Sequence, residues 1–431
     1  MDAASGLASA PGGSRAPEYC NPWAATHAPR HSRVTGRREA PPTEFLSGDL
    51  SPLSCAGCEA GVRRAATAAQ AVGITRSGGG GRSTRLGTEV AACTSGRDPA
   101  VPLIEGTGGP RPEDNYRVSD PVVVAMGGHS LIDPRLPPTV ENQFAVTARA
   151  VVPIAELIGR GVRLVLTHGN GPQVGYMQLR VELARPQLHA VPLDSLVADS
   201  QGALGYMIQR DLREALRRRG AAAEVAALVT EVEVDPDDPA FGAPSKPIGP
   251  FYRADEARRL TDERGWKLVD EAGRGFRRVV PSPTPLRIVQ LDTIVRLVSA
   301  GVTVITCGGG GIPVGRGRDG STCGLEAVID KDHASVLLAL GLGARRMFIT
   351  TAVDGLYRDF PGDRSTRIAR ITRAELAALA ADRPFPAGSM GPKVDAALRF
   401  LACGGEEVTL CAPDALVEAF EGRAGTRIAN A

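Results

Sequence analysis

Only four of the 50 basic side chains are lysines, Lys246, Lys267, Lys331 and Lys393; all the others are arginines. In so biased a composition, a lysine marks a place where a compact, flexible ammonium does something a planar guanidinium cannot. Lys246 in SKPIGPFY, Lys331 in VIDKD and Lys393 in GSMGPK lie beside Gly, Pro or Asp, whereas Lys267 in RGWKLVD does not. Point charges of this kind, arriving from several directions, suit phosphoryl transfer, where the protein positions reactants and neutralises spreading charge. Asp332 and Asp330 are of the type to hold ammonium groups apart or to bind Mg²⁺ through water. Asp330 reads equally well as an N-terminal helix acid meeting the dipole.

Four glycine-rich junctions accompany the lysines: Met126-Gly127-Gly128-His129, His168-Gly169-Asn170-Gly171-Pro172, Gly308-Gly309-Gly310-Gly311-Ile312-Pro313 and Gly388-Ser389-Met390-Gly391-Pro392-Lys393. Glycine lets backbone N–H groups close on an anion, and a helix starting just afterwards adds the positive end of its dipole. None of the four is GxxxxGK[ST] or GxGxxG, so phosphate binding without a P-loop is expected.

The elements that would position these residues begin at Pro121, where short buried strands alternate with amphipathic helices, the signature of a mostly parallel sheet. VVVAM (122–126) and RLVLTH (163–168) read as strands ending on two of the glycine loops, with a helix between them closed by Gly161. A long helix over about 195–219 is followed by one strand, EVAALVTEVEV (224–234). Residues 236–285 are too rich in Pro to continue the alternation and read as an inserted subdomain. The pattern resumes with strand 302–307, a helix LEAVIDKDHASVLLAL from Leu325, strand 345–350, two further helices and strand 407–412. Residues 118–431 are thus one α/β domain with an excursion, and parallel strands place ligands at their carboxyl ends.

Residues 1–117 contain only 14 Leu, Ile, Val and Phe, too few to build a core, and are expected to be disordered or a non-native extension. Cys55 and Cys58 form a CxxC that no second pair closes into a zinc site, and the eight cysteines show no disulfide framework. A formal charge of +2 removes the electrostatic case for nucleic acid or an anionic membrane. The N-terminus lacks the apolar core of a secretory signal and Leu297–Gly315 is too glycine-rich to span a bilayer, so a cytoplasmic place is expected.

From Val122 to Ile428 the chain resembles the carbamate kinases, a branch of the amino acid kinase superfamily. The resemblance is carried by HGNGPQVG (168–175), SQGALGYMIQ (200–209), VEVDPDDPAF (232–241), KPIGPFY (246–252), GFRRVVPSP (275–283), GGGGIPV (308–314), EAVIDKD (326–332), AGSMGPKV (387–394) and GTRI (425–428). It implies an open, mostly parallel eight-stranded sheet sandwiched between helices, with a small protruding subdomain. It also implies a homodimer, ATP/ADP with Mg as cofactors, and reversible transfer between ATP and carbamate, giving ADP and carbamoyl phosphate, as in arginine breakdown. Lys246, Lys331, Asp332 and Lys393 fall on the family's catalytic positions. Gly127, Gly128, Gly169, Asn170 and Gly171 match the loops that hold the transferred group, with Gly309 and Gly310 beside them. Ala352, Val353, Asp354 and Tyr357, with Met390 and Gly391, fall on the nucleotide side. The departure is His129, where the family commonly writes Asn; an imidazole donates only from the nitrogen that carries its proton. His168 matches the family and reads equally as a hydrogen-bonded strand end.

The mechanism expected is direct in-line transfer with no covalent phosphoenzyme and no side-chain base, because a carbamate oxygen is already anionic. Two other readings are a nucleotide-binding sensor with weakened catalysis, suggested by His129 and the long N-terminal segment, and a kinase of another small acid.

Overall fold

The run Val122–Met126 is buried at every position, as a strand covered on both faces must be, and it forms the centre of the main sheet. In the computed structural model the described residues are 120–133, 135–271, 273–317, 319–358, 366–385 and 390–431. The readings of residues 1–117 and of Cys55 and Cys58 lie outside them, as does the side chain of His129.

In chain order the strands and helices are β1 (Val122–Met126), α1 (Val140–Gly159), β2 (Leu164–His168), α2 (Gly171–Ala184), α3 (Leu193–Arg218), β3 (Val225–Ala227), β4 (Glu231–Val234), β5 (Lys246–Tyr252) and α4 (Ala254–Arg264). There follow β6 (Leu268–Asp270), β7 (Phe276–Val280), β8 (Pro285–Ile288), α5 (Leu291–Ser299), β9 (Thr303–Ile305), β10 (Ile312–Arg316), β11 (Thr322–Gly324), α6 (Lys331–Gly341) and β12 (Arg346–Thr350). The chain closes with β13 (Leu356–Tyr357), β14 (Arg367–Ile368), β15 (Arg370–Thr372), α7 (Arg373–Asp382), α8 (Gly391–Ala402), β16 (Glu407–Cys411), α9 (Leu416–Phe420) and β17 (Thr426–Ala429).

The main sheet has eight strands in the order β15-β17-β16-β12-β1-β2-β9-β3, and only β16–β17 is antiparallel. Period-two alternation sends its side chains into two cores. Val123 and Ala125 of β1, with Val165, Met347 and Ile349, pack against α5, α6, α7 and α8. Val122, Val124 and Met126, with Leu166 and Phe348, pack against α1, α3 and α9. The open, helix-covered α/β sheet expected from the sequence is therefore present.

Two local expectations are corrected. The single strand 224–234 is two strands in different sheets: β3 pairs with β9, while β4 joins a four-stranded sheet β11-β10-β4-β8. The break is at Thr230, whose N–H donates to Gln201 Oε1 (2.8 Å) and whose carbonyl accepts from Gln201 Nε2 (3.1 Å), so its backbone turns onto a helix side chain instead of continuing the first ladder. The helix expected from Leu325 begins at Lys331. Asp330, in an extended conformation (φ −73°, ψ 123°), caps it by accepting from the Asp332 N–H, and Leu325 and Val328 instead donate to the carbonyls of Pro313 and Pro281.

Strands β5, β7 and β6 form a separate antiparallel sheet, which with α4 closes over Tyr252, Ala257, Leu260 and Trp266. It docks on α2 by backbone contact: a Cβ on Gly175 would lie 1.9 Å from Gly249 Cα, and Gly249 itself has φ +75°. Strand β5 begins with Lys246, so this contact bears on where that ammonium lies.

Candidate active site

Helix α6 starts with a capping carboxylate and carries a lysine and an aspartate in its first turn, where the free N–H groups and the helix dipole favour anions. Three of the four lysines meet here. Lys331 Nζ donates to Asp332 Oδ1 (2.5 Å) and Lys393 Nζ, from α8, donates to Asp332 Oδ2 (3.1 Å). Lys246 Nζ, from β5, donates to Asp330 Oδ2. Asp332 is only 2% exposed and Lys331 only 9%. Three ammonium groups against two carboxylates leave one net positive charge in a nearly dry place, where it acts more strongly than in water. Lys267 is exposed on the separate sheet and takes no part.

Burial opposes the charge on each of these groups, and the neighbours decide the outcome. Burial, helped by nearby Lys393, holds Lys331 below the usual lysine range, with Asp332 pulling the other way. Burial would raise Asp332, yet the Lys331 and Lys393 ammoniums hold its carboxyl below the usual range. Lys246 does the same for Asp330 against burial, aided by His333. The carboxylates thus stay ionised and keep the ammoniums in register.

Around this cluster lie the loops at the carboxyl ends of four successive parallel strands, β12, β1, β2 and β9. Gly127 N–H donates to Thr350 Oγ1 (2.9 Å), and a Cβ at Gly127 would lie 2.3 Å from the Thr350 carbonyl oxygen, so the loop after β1 needs glycine there. Gly128 is exposed and opens a short turn with His129 and Ser130. Gly169 lies against the Lys331 stem, with a Cβ there 3.4 Å from its Cδ. Gly171 opens α2. Asn170 turns inward: Nδ2 donates to Ser200 Oγ (2.8 Å), leaving the loop's backbone to face a ligand. Gly309 (φ +66°) and Gly310 (φ +93°) adopt the left-handed region, and Cys307 before them does so without being glycine (φ +49°). Burial pushes the Cys307 thiol up to about 12, which keeps it a protonated core group.

His168 is a buried strand end whose Nδ1 lies 3.0 Å from the Gly169 carbonyl. Burial pulls it down to about 4, with Lys331 acting in the same direction, so the ring stays neutral at neutral pH. On the β12 side, Ala352 and Asp354 are exposed, Val353 is half-buried, and Tyr357 OH donates to Asp354 Oδ1. Thr426 Oγ1 accepts from Leu356 N–H (2.8 Å) and donates to the Ile368 carbonyl, which gives the GTRI motif its part in holding this loop. Met390 and Gly391 start α8 one turn before Lys393. The sequence reading missed Ser200, Gln201, Thr350 and Thr426 as supports: each is buried and reaches a loop distant in the chain.

Among the described residues no group of three or more His, Cys, Asp or Glu could hold a metal, and the site's two aspartates are engaged by lysines. No helix among them is long and apolar enough to cross a membrane.

Residues 120–411 match the model of the amino acid kinase family. The chain is 43% identical to a carbamate kinase from Pyrococcus horikoshii over 310 residues, covering 71% of this chain and 98% of that one. A carbamate kinase from Trichomonas vaginalis is 40% identical over 309 residues, with the same coverage. Among solved structures, a carbamate kinase from Giardia lamblia bound to AMP-PNP superposes with a TM-score of 0.66 at 37% identity, covering 72% of this chain and 98% of that one.

Proposed function

The chain belongs to the amino acid kinase family, in its carbamate kinase branch, and from that premise we infer that it transfers a phosphoryl group reversibly between ATP and carbamate, giving ADP and carbamoyl phosphate. The observation that carries this reading is the cluster at the start of α6, where Lys331, Lys393 and Lys246 converge on Asp332 and Asp330 beside glycine loops. A carbamate oxygen attacks the γ-phosphorus of ATP in line with the departing ADP oxygen; in reverse, an ADP oxygen attacks and carbamate leaves. The attacking oxygen is anionic in either direction, so no side chain need take a proton, and the neutral His168 is no base for it. The three ammoniums take up the charge that spreads over the phosphoryl oxygens. Backbone N–H groups at Gly128, at Asn170 and Gly171, and at Gly309 hold the transferred group, while those of Gly127, Gly169 and Gly310 donate to Thr350, Met126 and Cys307 and shape the loops; residues 352–357 and 390–391 hold the nucleotide. Mg²⁺ would accompany the nucleotide's phosphates and supply charge neutralisation there.

The purified chain should form ATP from ADP and carbamoyl phosphate, and in the other direction should reject acetylglutamate and aspartate as acceptors. Nucleotide binding without turnover would replace this reading with that of a sensor. Activity on a larger acid would replace it with another small-acid kinase. A cytoplasmic place, alongside its nucleotide, goes with this reading.

A homodimer is part of the same proposal. Val152 of α1, Tyr206 of α3 and Val229, just after the edge strand β3, are exposed, with Arg210 stacked 3.6 Å over Phe144, a surface suited to a second copy. Sedimentation equilibrium should give twice the chain mass; a single-chain mass at micromolar concentration would remove the dimer.

A further inference from the structure

Two consecutive residues in the middle of α3 reach two different loops of the site. Ser200 is fully buried; its hydroxyl donates to its own helix at the Val197 carbonyl (2.7 Å) and accepts from Asn170 Nδ2 (2.8 Å), in the loop after β2. Gln201 is buried beside it, and its amide makes three bonds. Nε2 donates to the carbonyls of Gly308 (3.0 Å) and Thr230 (3.1 Å), and Oε1 accepts from the Thr230 N–H (2.8 Å). About 100° separates successive residues around a helix, so one helical step aims the hydroxyl at the first loop and the amide at the second. The loops touch: a Cβ on Gly309 would lie 2.1 Å from Asn170 Nδ2. Helix α3 comes this close because Gly205, one turn on, faces Ala227 of β3, whose Cβ would be 2.9 Å from one placed on that glycine.

We propose that Ser200 and Gln201 are positioning residues which fix the spacing between the Asn170 loop and the Gly308–Gly311 loop, and with it the seat of the transferred phosphoryl group. Neither makes a hydrogen bond to the lysine cluster: Ser200 acts through the Asn170 loop, and Gln201 through the Gly308 carbonyl and the Thr230 segment that it also holds. This deepens the carbamate kinase reading and depends on it only for the assay. A displacement of about 1 Å at a reacting centre is worth up to ~10²-fold in rate, so loosening either loop is expressed in turnover.

Hydrogen exchange on the full chain tests the placement without any turnover. Ser200→Ala should speed exchange at least ~10-fold in residues 168–172 and Gln201→Met in residues 308–311, while β16 on the far side of the sheet stays as in wild type. Unchanged exchange at those loops, or equal acceleration throughout the chain, would overturn the proposal. Kinetics supply the second arm. Ser200→Ala should lower kcat about 10-fold with KM for ADP unchanged, and should cost nothing further in an Asn170→Ala background. Additive losses would show that Ser200 acts on the fold at large and would overturn the proposal. If Ser200→Ala does not fold, Ser200→Cys keeps the volume while weakening the acceptor and is held to the same outcomes. A wild type that forms no ATP overturns the carbamate kinase reading instead, with exchange still deciding this one.

Discussion

Lys331→Arg and Lys393→Arg are each expected to lose at least ~10²-fold in turnover while the thermal midpoint stays within a few degrees of wild type. Asp332 offers one oxygen to each lysine, Oδ1 to Lys331 and Oδ2 to Lys393. A guanidinium in either place would take both oxygens in a fork, because that is the geometry in which arginine meets a carboxylate. The second ammonium would then lose its bond to Asp332, and the phosphoryl group would face one planar cation and one displaced ammonium rather than two compact ones in register. Space works in the same direction. Lys331 is almost fully buried with its stem against Gly169, and there is little room for the longer, wider head. Lys246, whose side chain is 26% exposed and which ends at Asp330, should tolerate arginine better, with a loss nearer 10-fold. Steady-state assays of ATP formation on the three variants decide the point; near-wild-type rates at positions 331 and 393 would mean that charge alone matters there.

The same three lysines show how far the sequence could be read. Their scarcity among 50 basic residues marked them before any geometry, and three meet at one helix start. The main sheet was legible for a similar reason: a strand such as Val122–Met126, covered by helices on both faces, is apolar throughout, and no helix pattern imitates five such residues bounded by Pro and Gly. What failed to read were the decisions made by side chains distant in sequence. EVAALVTEVEV has the alternation of one strand, and its break depends on the Gln201 amide 29 residues before Thr230. LEAVIDKD has the periodicity of a helix start, but a carboxylate at Asp330 sets the first turn at Lys331 and so puts Lys331 and Asp332 where the helix's free N–H groups are. Ser200 could be named within a motif, yet nothing local to SQGALGYMIQ says that its hydroxyl supports Asn170. Local pattern fixes element type, whereas loop placement depends on buried polar contacts that composition does not express.

Asp332→Asn should separate activity from stability by pH, and it is the second large effect expected. The carboxylate is in contact with both Lys331 and Lys393, and it opposes the burial that holds Lys331 below the usual lysine range. Replaced by a neutral amide, it no longer favours the charged form, so the Lys331 value falls further and its proton is lost at lower pH. Turnover needs that proton, because a neutral amine cannot take up phosphoryl charge. The variant should therefore lose ~10²-fold near pH 6 and progressively more as pH rises, because its Lys331 gives up the proton at lower pH than the wild-type lysine does. Stability runs the other way. A lysine whose folded value lies below its unfolded value of about 10.4 binds more protons when unfolded, so unfolding becomes less favourable as pH rises across the interval between the two. The variant should be least stable on the acid side of that interval and recover as Lys331 gives up its proton, while activity declines over the same pH units. In wild type the depressed Asp332 value adds stability above the usual carboxylate range, lost only as pH falls through its folded value. Denaturant midpoints and kcat/KM measured together from pH 6 to 9 should thus slope in opposite directions in the variant. Profiles parallel to those of wild type would sink the claim that Asp332 sets the charge of its neighbours.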